Sequence, residues 1–244
     1  MTATMLRGVV FDLDGVIVDS HPIHKQAWRA FLASVGKQVS ESDLDFIFEG
    51  RRRREILVHF LGPLSHSEIE EHGKRKDVFF QKACASLEGV PGSLEIIKEI
   101  EKAGLSIALA TSASRDRARW TLQQLQISQY FRIVITGDDV VASKPDPTIY
   151  RLAAEGLAIS PDCLVAVEDS ICGVRAAKSA GLRCVAIAVA EDARSLISAG
   201  ADRVFPDLAS VSIGELQRTF QIDLRSDCSG LVEGSSQPAQ VDRF

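Results

Sequence analysis

The sequence lacks several features that would assign it to a specialised class of protein. Its five cysteines form no Cys-x-x-Cys pair, so neither a zinc site nor a disulfide framework is expected. Lysine and arginine number 28 against 33 aspartates and glutamates, for a formal net charge of −5, which leaves no basic surface for nucleic acid. The N-terminus has no apolar signal region, and no apolar run reaches membrane-spanning length. We therefore expect a cytoplasmic protein without nucleic-acid or membrane partners.

The main fold signal is the alternation of short apolar runs with helical patterns. From Gly89 onward, runs rich in valine, isoleucine and alanine alternate with amphipathic stretches. This alternation is typical of βαβ units, so we predict an α/β fold with a Rossmann-like parallel sheet core. The predicted strands span 7–11, 105–110, 132–135, 163–167, 184–188 and 203–205. The predicted helices of this part span 91–103, 115–125, 147–156 and 172–180.

A helical insert interrupts this pattern after the first strand. Residues 20–88 show helical periodicity near 24–35, 55–61 and 67–85, without a convincing strand. An insert at this point is expected to form a cap above the sheet edge at which the first strand ends. The predicted division is a core at 1–19 and 89–222, a helical cap at 20–88 and a flexible tail at 223–244.

An acidic doublet follows the first predicted strand. Asp12 and Asp14 are two positions apart, so they point the same way if the extended backbone continues. Two ionised carboxylates in one small volume are tolerable mainly beside a cation, and the pair therefore suggests a divalent metal. Gly15 then allows a sharp turn. Taken alone, the same letters also fit an ordinary acidic turn.

Three other predicted strands end in polar residues. Thr111 to Ser114 follow one strand and precede a helix, where hydroxyls and backbone N–H groups together favour an anion. Lys144 stands in a loop stiffened by two prolines, and Glu168 with Asp169 follows an entirely apolar strand. Each has a structural alternative: a helix cap for Ser114, a solvated lysine and an exposed acidic turn. Because the carboxyl ends of parallel strands meet at one edge of a sheet, we predict that all four groups converge.

Taken together, these motifs resemble the four ordered motifs of the haloacid dehalogenase superfamily, in its phosphatase and phosphomutase branch. The resemblance runs over about residues 7 to 220, and the insert is similar to the C1 cap of the family. His24, Trp28, Gly50 and Arg53 are similar to cap residues of the β-phosphoglucomutases and related sugar phosphatases. Glu49 and the pair Ser114-Arg115 depart from the mutase pattern.

The resemblance implies a reaction and a set of roles. The reaction is Mg²⁺-dependent phosphoryl transfer from a small phosphorylated metabolite through an aspartyl phosphate. Asp12 is implied as the nucleophile, Asp14 as the general acid and base, and Thr111 and Lys144 as groups that stabilise transition-state charge. The residues implied for substrate binding are Ser112, Ala113, His24, Gly50 and Arg53. The residues implied for the metal are Asp12, Asp14 through its backbone carbonyl, Asp169 and, in support, Glu168.

The sequence leaves other functions open. Water attacking the aspartyl phosphate gives a phosphatase, which we predict, whereas attack by a sugar hydroxyl gives a phosphomutase. An alternative of another class is a non-catalytic metal-binding or signalling module, which also uses acids, a hydroxyl and a lysine at strand ends. The sequence does not fix the substrate, and a monomer and a small homo-oligomer are both compatible with it.

Overall fold

The first strand lies at the centre of the sheet. In the computed structural model, which describes residues 5–48, 51–84 and 87–220, the strands are parallel and run in the order β3-β2-β1-β4-β5-β6. This order is the Rossmann-like arrangement, and the predicted α/β fold is confirmed. The strands in the described part of the chain are β1 Gly8–Phe11, β2 Ser106–Ala110, β3 Ile133–Ile135, β4 Leu164–Glu168, β5 Arg183–Ile187 and β6 Arg203–Phe205.

The central strands are covered on both faces. All residues of β1 are buried, and Val10 and Phe11 belong to two different apolar clusters, one on each side of the sheet. Burial on both faces explains why these strands read as unbroken apolar runs rather than as alternating patterns. Parallel strands also require crossover connections, which the helices provide.

All seven predicted helices are present, with ends that differ from the prediction by at most three residues. The helices in the described ranges are α1 His21–Ser34, α2 Arg53–Leu61, α3 His66–Ala83, α4 Ser93–Lys102, α5 Arg115–Gln124, α6 Thr148–Leu157, α7 Ile171–Ser179, α8 Ala190–Ala199 and α9 Ile213–Arg218. Helix α8 was not predicted. Leu196 is its buried residue, so its sequence shows no repeating apolar pattern. The sequence analysis also missed α9, which has six residues, and a 3-10 helix at Ser42–Phe48. Such short elements leave little periodic signal. None of the helices in these ranges combines the length and apolar character that crossing a membrane requires.

Helices α1 to α3 and the 3-10 helix share an apolar cluster of their own. We call residues 21–83 the cap. Two connecting segments join it to the sheet, and they run side by side: Val18 forms a β-bridge with Gly89, and the Val90 N–H donates to the Ile17 carbonyl at 2.9 Å. The domain boundaries remain a prediction, and the predicted tail at 223–244 lies outside the described residues. The buried residues of the cap cluster are Trp28, Phe31, Leu32, Leu44, Ile47, Ile56, Leu57 and Ile69.

Gly92 lies at the end of the second segment that joins the cap to the sheet, and its backbone packs closely against Ala209. Gly92 has φ +86°, and a Cβ there would lie 2.2 Å from the Ala209 nitrogen; Gly104 has φ +71° and nothing within 4 Å. Gly104→Ala should therefore cost about 1–2 kcal/mol for the left-handed backbone alone. Gly92→Ala should cost about 1–3 kcal/mol more because backbone atoms must also move. Urea unfolding of both variants measures this difference, and equal losses would contradict the tight contact.

Candidate active site

The four predicted motifs meet at the carboxyl ends of the strands. Asp12 follows the central strand β1, and its N–H donates to the Val167 carbonyl of β4 at 2.9 Å. On the other side of β1, the N–H of Thr111 extends the pairing of β2 and β3 by donating to the Ile135 carbonyl at 3.0 Å. These backbone contacts place the ends of neighbouring strands in register. The convergence is thus a consequence of parallel pairing.

Lys144 lies between two carboxylates at this edge. Its Nζ donates to Asp12 Oδ1 at 2.7 Å, to Glu168 Oε1 at 2.6 Å and to the Ala110 carbonyl at 3.0 Å. Its side chain is 3% exposed. Burial lowers the pKa of Lys144, but the charges of Asp12 and Glu168 outweigh burial and raise it above the usual value. The ammonium is therefore charged and uses all three of its hydrogens.

Glu168 lies beneath this lysine and is fully buried. Its Oε1 also accepts from the Tyr150 hydroxyl at 2.7 Å, and its Oε2 accepts from Ser170 Oγ at 3.0 Å. A Cβ on Gly173 would lie within 2.0 Å of this carboxylate, so glycine is required there. Burial raises the pKa of Glu168, but Lys144 and these hydrogen bonds bring it below the usual value. Glu168 thus holds Lys144, and its carboxylate is occupied by protein groups.

The negative charges of Asp12 and Asp169 are only partly neutralised by neighbouring groups of the protein. Burial raises the pKa of Asp12 to about 7, and Lys144 offsets the further contributions of Glu168 and Asp14 in part. Burial and the charges of Glu168 and Asp12 hold the pKa of Asp169 well above its usual range. A divalent cation would relieve this repulsion.

Two carboxylates at this edge of the sheet suit a Mg²⁺ ion. Mg²⁺ in phosphoryl-transfer sites uses one or two carboxylates and completes its shell with water and substrate oxygens. Asp12 and Asp169 provide those carboxylates, and Asp169 approaches the Gly15 turn so closely that a Cβ there would lie 1.9 Å from its Oδ2. Within the described residues, no three His, Cys, Asp or Glu side chains form a metal-binding group. The roles predicted for the Asp14 backbone carbonyl and for Glu168 in metal binding stay predictions.

The Asp14 carboxylate turns towards the cap and α5. Arg117 donates to both of its oxygens, with Nη1 2.8 Å from Oδ1, and Ser20 Oγ also donates to it. His24 Nε2 lies 3.4 Å from the same Oδ1. Burial raises the pKa of Asp14, but the Arg117 charge and the hydrogen bonds outweigh burial and bring it well below the usual value. Asp14 is thus held as a carboxylate.

His24 and Lys76 form a buried pair beside Asp14. Lys76 Nζ lies 3.0 Å from His24 Nδ1, 4.9 Å from the centre of the Phe80 ring and 5.3 Å from that of Trp28. Burial, followed by the charges of Lys76 and Arg117, lowers the pKa of His24 to about 3. Burial and Arg117 also hold the pKa of Lys76 well below its usual range. His24 is therefore neutral, and Arg117 is the cation that keeps Asp14 ionised.

Arg53 links the cap to the predicted anion loop. Its guanidinium donates to Asp77 on α3 and to Ser114 Oγ at 2.6 Å. A Cβ on Gly73 would lie 2.6 Å from the arginine side chain, so α3 leaves room for it there. Ser114 is also the N-cap of α5, so its predicted role as a helix cap is confirmed, and its role at an anion site stays a prediction. In the same loop, the Ala113 N–H donates to Thr111 Oγ1 at 3.1 Å.

A cavity of about 100 Å³ brings these groups together. Of the predicted site residues, Glu168 does not line the cavity, and Gly50 lies outside the described residues. The predicted residues that line the cavity are Asp12, Asp14, His24, Arg53, Thr111, Ser112, Ala113, Lys144 and Asp169.

Sequence reasoning missed Arg117, Lys76 and Tyr150. A signal for Lys76 was available, since it falls on the buried stripe of α3 with Ile69, Gly73 and Phe80. Arg117 likewise lies one turn before the buried Thr121 on α5. A charged residue in register with an apolar stripe must find a partner in the interior. For Tyr150 no such signal exists, because tyrosine on a buried helix face is ordinary.

The raised pKa of Asp12 predicts a pH-dependent stability. The folded pKa of about 7 exceeds the usual value of 3.8, so ionisation of Asp12 destabilises the folded state as the pH rises through this range. In EDTA, Asp12→Asn should thus gain stability relative to wild type between about pH 4 and pH 7. Mg²⁺ should reduce the gain at high pH by binding ionised Asp12. Urea unfolding across pH tests this, and a difference independent of pH would contradict it.

Comparisons with known proteins agree with this geometry. A family model described as haloacid dehalogenase-like hydrolase matches residues 9–187. The phosphorylated carbohydrates phosphatase of Thermotoga maritima is 34% identical over 200 residues, which are 80% of this chain and 92% of that protein. The validoxylamine A 7'-phosphate phosphatase of Streptomyces hygroscopicus subsp. limoneus is 30% identical, over 85% of this chain and 96% of that protein.

The fold is similar to that of solved structures as well. CbbY from Rhodobacter sphaeroides, solved in complex with phosphate, has a TM-score of 0.77 at 28% identity, over 87% of this chain and 99% of that one. The family model covers more than half of the 244 residues, and it includes all four motifs. The protein therefore belongs to the haloacid dehalogenase-like hydrolases.

Proposed function

We propose that this protein is a Mg²⁺-dependent phosphatase that hydrolyses a small phosphorylated carbohydrate through an aspartyl-phosphate intermediate. The observation that carries the proposal is the buried Asp12 carboxylate, held by Lys144 in a cavity that Asp14 and Asp169 also line. The predicted enzyme class is confirmed, because the chain belongs to a hydrolase family and its relatives are named phosphatases. Those names also support a phosphorylated carbohydrate as the substrate class.

Asp12 is the nucleophile of this proposal. Lys144 binds Oδ1 and fixes the orientation of the carboxylate, so that Oδ2 attacks phosphorus while the bond from phosphorus to the sugar oxygen breaks. Asp12 and Asp169 would hold the Mg²⁺, which neutralises phosphate charge when bound. Lys144 adds a fixed positive charge beside the attacking carboxylate.

Asp14 supplies the proton chemistry. It gives a proton to the departing sugar oxygen and takes one from the water that later attacks the aspartyl phosphate. Arg117 and Ser20 hold Asp14 ionised in this structure. We infer that substrate binding draws Asp14 away from Arg117, which raises its pKa so that it takes up a proton from solvent before it donates to the sugar oxygen.

The loop after β2 is suited to bind the transferring phosphoryl group. Thr111 is 1% exposed and lies at the strand end, and the first turn of α5 follows at Ser114. Backbone N–H groups at the start of a helix favour an anion. Arg53 places positive charge on the cap side of the same cavity, where the rest of the substrate would lie, and Lys76 lines the same side. The small volume favours a compact substrate.

The proposed function is tested by phosphate release from a panel of compounds. Sugar phosphates, hexitol phosphates and phosphoglycolate are each incubated with the full chain and Mg²⁺, and with EDTA as the control. We expect Mg²⁺-dependent release from a phosphorylated carbohydrate, and its loss in Asp12→Asn with an unchanged circular dichroism spectrum. Phosphate release by Asp12→Asn at the wild-type rate would refute the assignment of Asp12 as the nucleophile.

The same assay separates phosphatase from mutase. β-Glucose 1-phosphate with a trace of glucose 1,6-bisphosphate is followed for phosphate and for glucose 6-phosphate in parallel. Glucose 6-phosphate without phosphate release would assign a phosphomutase and overturn the hydrolytic proposal. Silence with every compound, with and without Mg²⁺, would favour the non-catalytic alternative.

A second substitution tests the role of Asp14. Asp14→Asn preserves the shape of the side chain but removes its ability to transfer a proton, so turnover of a sugar phosphate should fall by about 10²–10⁴. A substrate whose leaving group needs no proton, such as p-nitrophenyl phosphate, should lose less in the first step. Burst kinetics measure that step, and a near-normal rate with the sugar phosphate would show that another group transfers the proton.

A further inference from the structure

Arg52 occupies a position that its residue type does not suit. It is the N-cap of α2, where serine, threonine, aspartate and asparagine are favoured because their side chains accept a hydrogen bond from the helix. A guanidinium has no acceptor. Glu55 compensates from within the helix, since its Oε2 accepts from the Arg52 N–H at 3.2 Å. The Arg52 side chain is thus available for another purpose.

The Arg52 guanidinium crosses from the cap to the core. Its Nη1 donates to the Val140 carbonyl at 2.7 Å, and its Nε lies 3.3 Å from Ser143 Oγ. Ser143 Oγ in turn donates to Glu55 Oε1, which lies 3.7 Å from Arg52 Nη2. Arg52, Ser143 and Glu55 therefore form a closed polar ring, and the Val140 carbonyl adds one bond beside it. We call these contacts the latch.

The latch ends on the residue before Lys144. Ser143 is adjacent in the chain to Lys144, whose ammonium binds Asp12 and Glu168. Val141 lies between Val140 and Ser143, the two residues that Arg52 contacts. It is 92% exposed, so its side chain does not anchor this segment in the core. The latch therefore connects the first turn of α2 to the segment that carries the central cation of the site.

We propose that Arg52 and Glu55 are positioning residues that couple the placement of the cap to the placement of Lys144. The proposal rests on the proposed phosphatase function. When α2 sits against residues 140–143, the cap covers the cavity while the Lys144 segment is held in place. The side chains of Arg52 and Glu55 are 18% and 31% exposed, so water partly screens the latch and it opens at modest cost. Substrates can then enter and products leave.

Arg52→Ser tests the latch without weakening the helix. Serine is a favoured N-cap, so this variant removes the guanidinium while supplying the cap that α2 lacks. Arg54→Ser is the matched control, because Arg54 is the exposed neighbour two residues along the same chain segment. KM, kcat and the unfolding temperature are measured for both with the best substrate of the panel.

The latch predicts a selective change in KM. Loss of a charge-assisted hydrogen bond that favours the closed cap should raise KM of Arg52→Ser about tenfold, with an unfolding temperature no lower than that of wild type. Arg54→Ser should keep the wild-type KM. A merely structural role would lower the unfolding temperature and leave KM unchanged. An unchanged KM in Arg52→Ser would overturn the proposal.

A fluorescence measurement reports on the cap independently of turnover. The chain has two tryptophans: Trp28 is buried in the cap, and Trp120 of the core faces Phe80 of the cap with ring centres 6.1 Å apart. Acrylamide should quench Arg52→Ser more than wild type or Arg54→Ser, because an open cap exposes Trp120. If no compound is hydrolysed, the proposed function fails, and equal quenching in the three proteins would then overturn the latch separately.

Discussion

Lys144 holds the carboxylates of Asp12 and Glu168 together in the interior, and the rest of the site depends on that contact. Burying three charged groups is costly unless each is paired and hydrogen-bonded. Tyr150, Ser170 and the N–H of Asp169 supply the remaining hydrogen bonds to Glu168, and Gly173 leaves room for it. The apolar strands around the group exclude water, and this strengthens every charge interaction inside.

This arrangement divides the carboxylates of the site by their surroundings. Arg117 offsets the charge of Asp14, and Lys144 offsets that of Glu168, so both have pKa values below their usual range. One lysine cannot also neutralise Asp12 and Asp169, whose pKa values are raised chiefly by burial. The unmet charge is thus localised on Asp12 and Asp169, the two carboxylates to which the proposed Mg²⁺ would bind.

The strand ends could be predicted from the sequence because parallel pairing makes position along the chain equivalent to position in space. Asp12, Thr111, Lys144 and Asp169 were found in this way. The partners of Asp14 and His24 were missed although Arg117 and Lys76 fall in register with buried stripes, because charged residues on helices usually face solvent. The occupied carboxylate of Glu168 was also out of reach, because sequence pattern does not show which way a buried acid turns.

The contacts between cap and core explain how such a closed site can still exchange its contents. Arg52 and Arg53 both cross from the cap to the core through hydrogen bonds, to Val140 and to Ser114. Polar contacts of this kind are replaced by water at little net cost, unlike the separate apolar clusters on either side. The chain therefore keeps its rigid packing within the cap and within the core, and leaves the boundary between them to bonds that substrate and water can compete for.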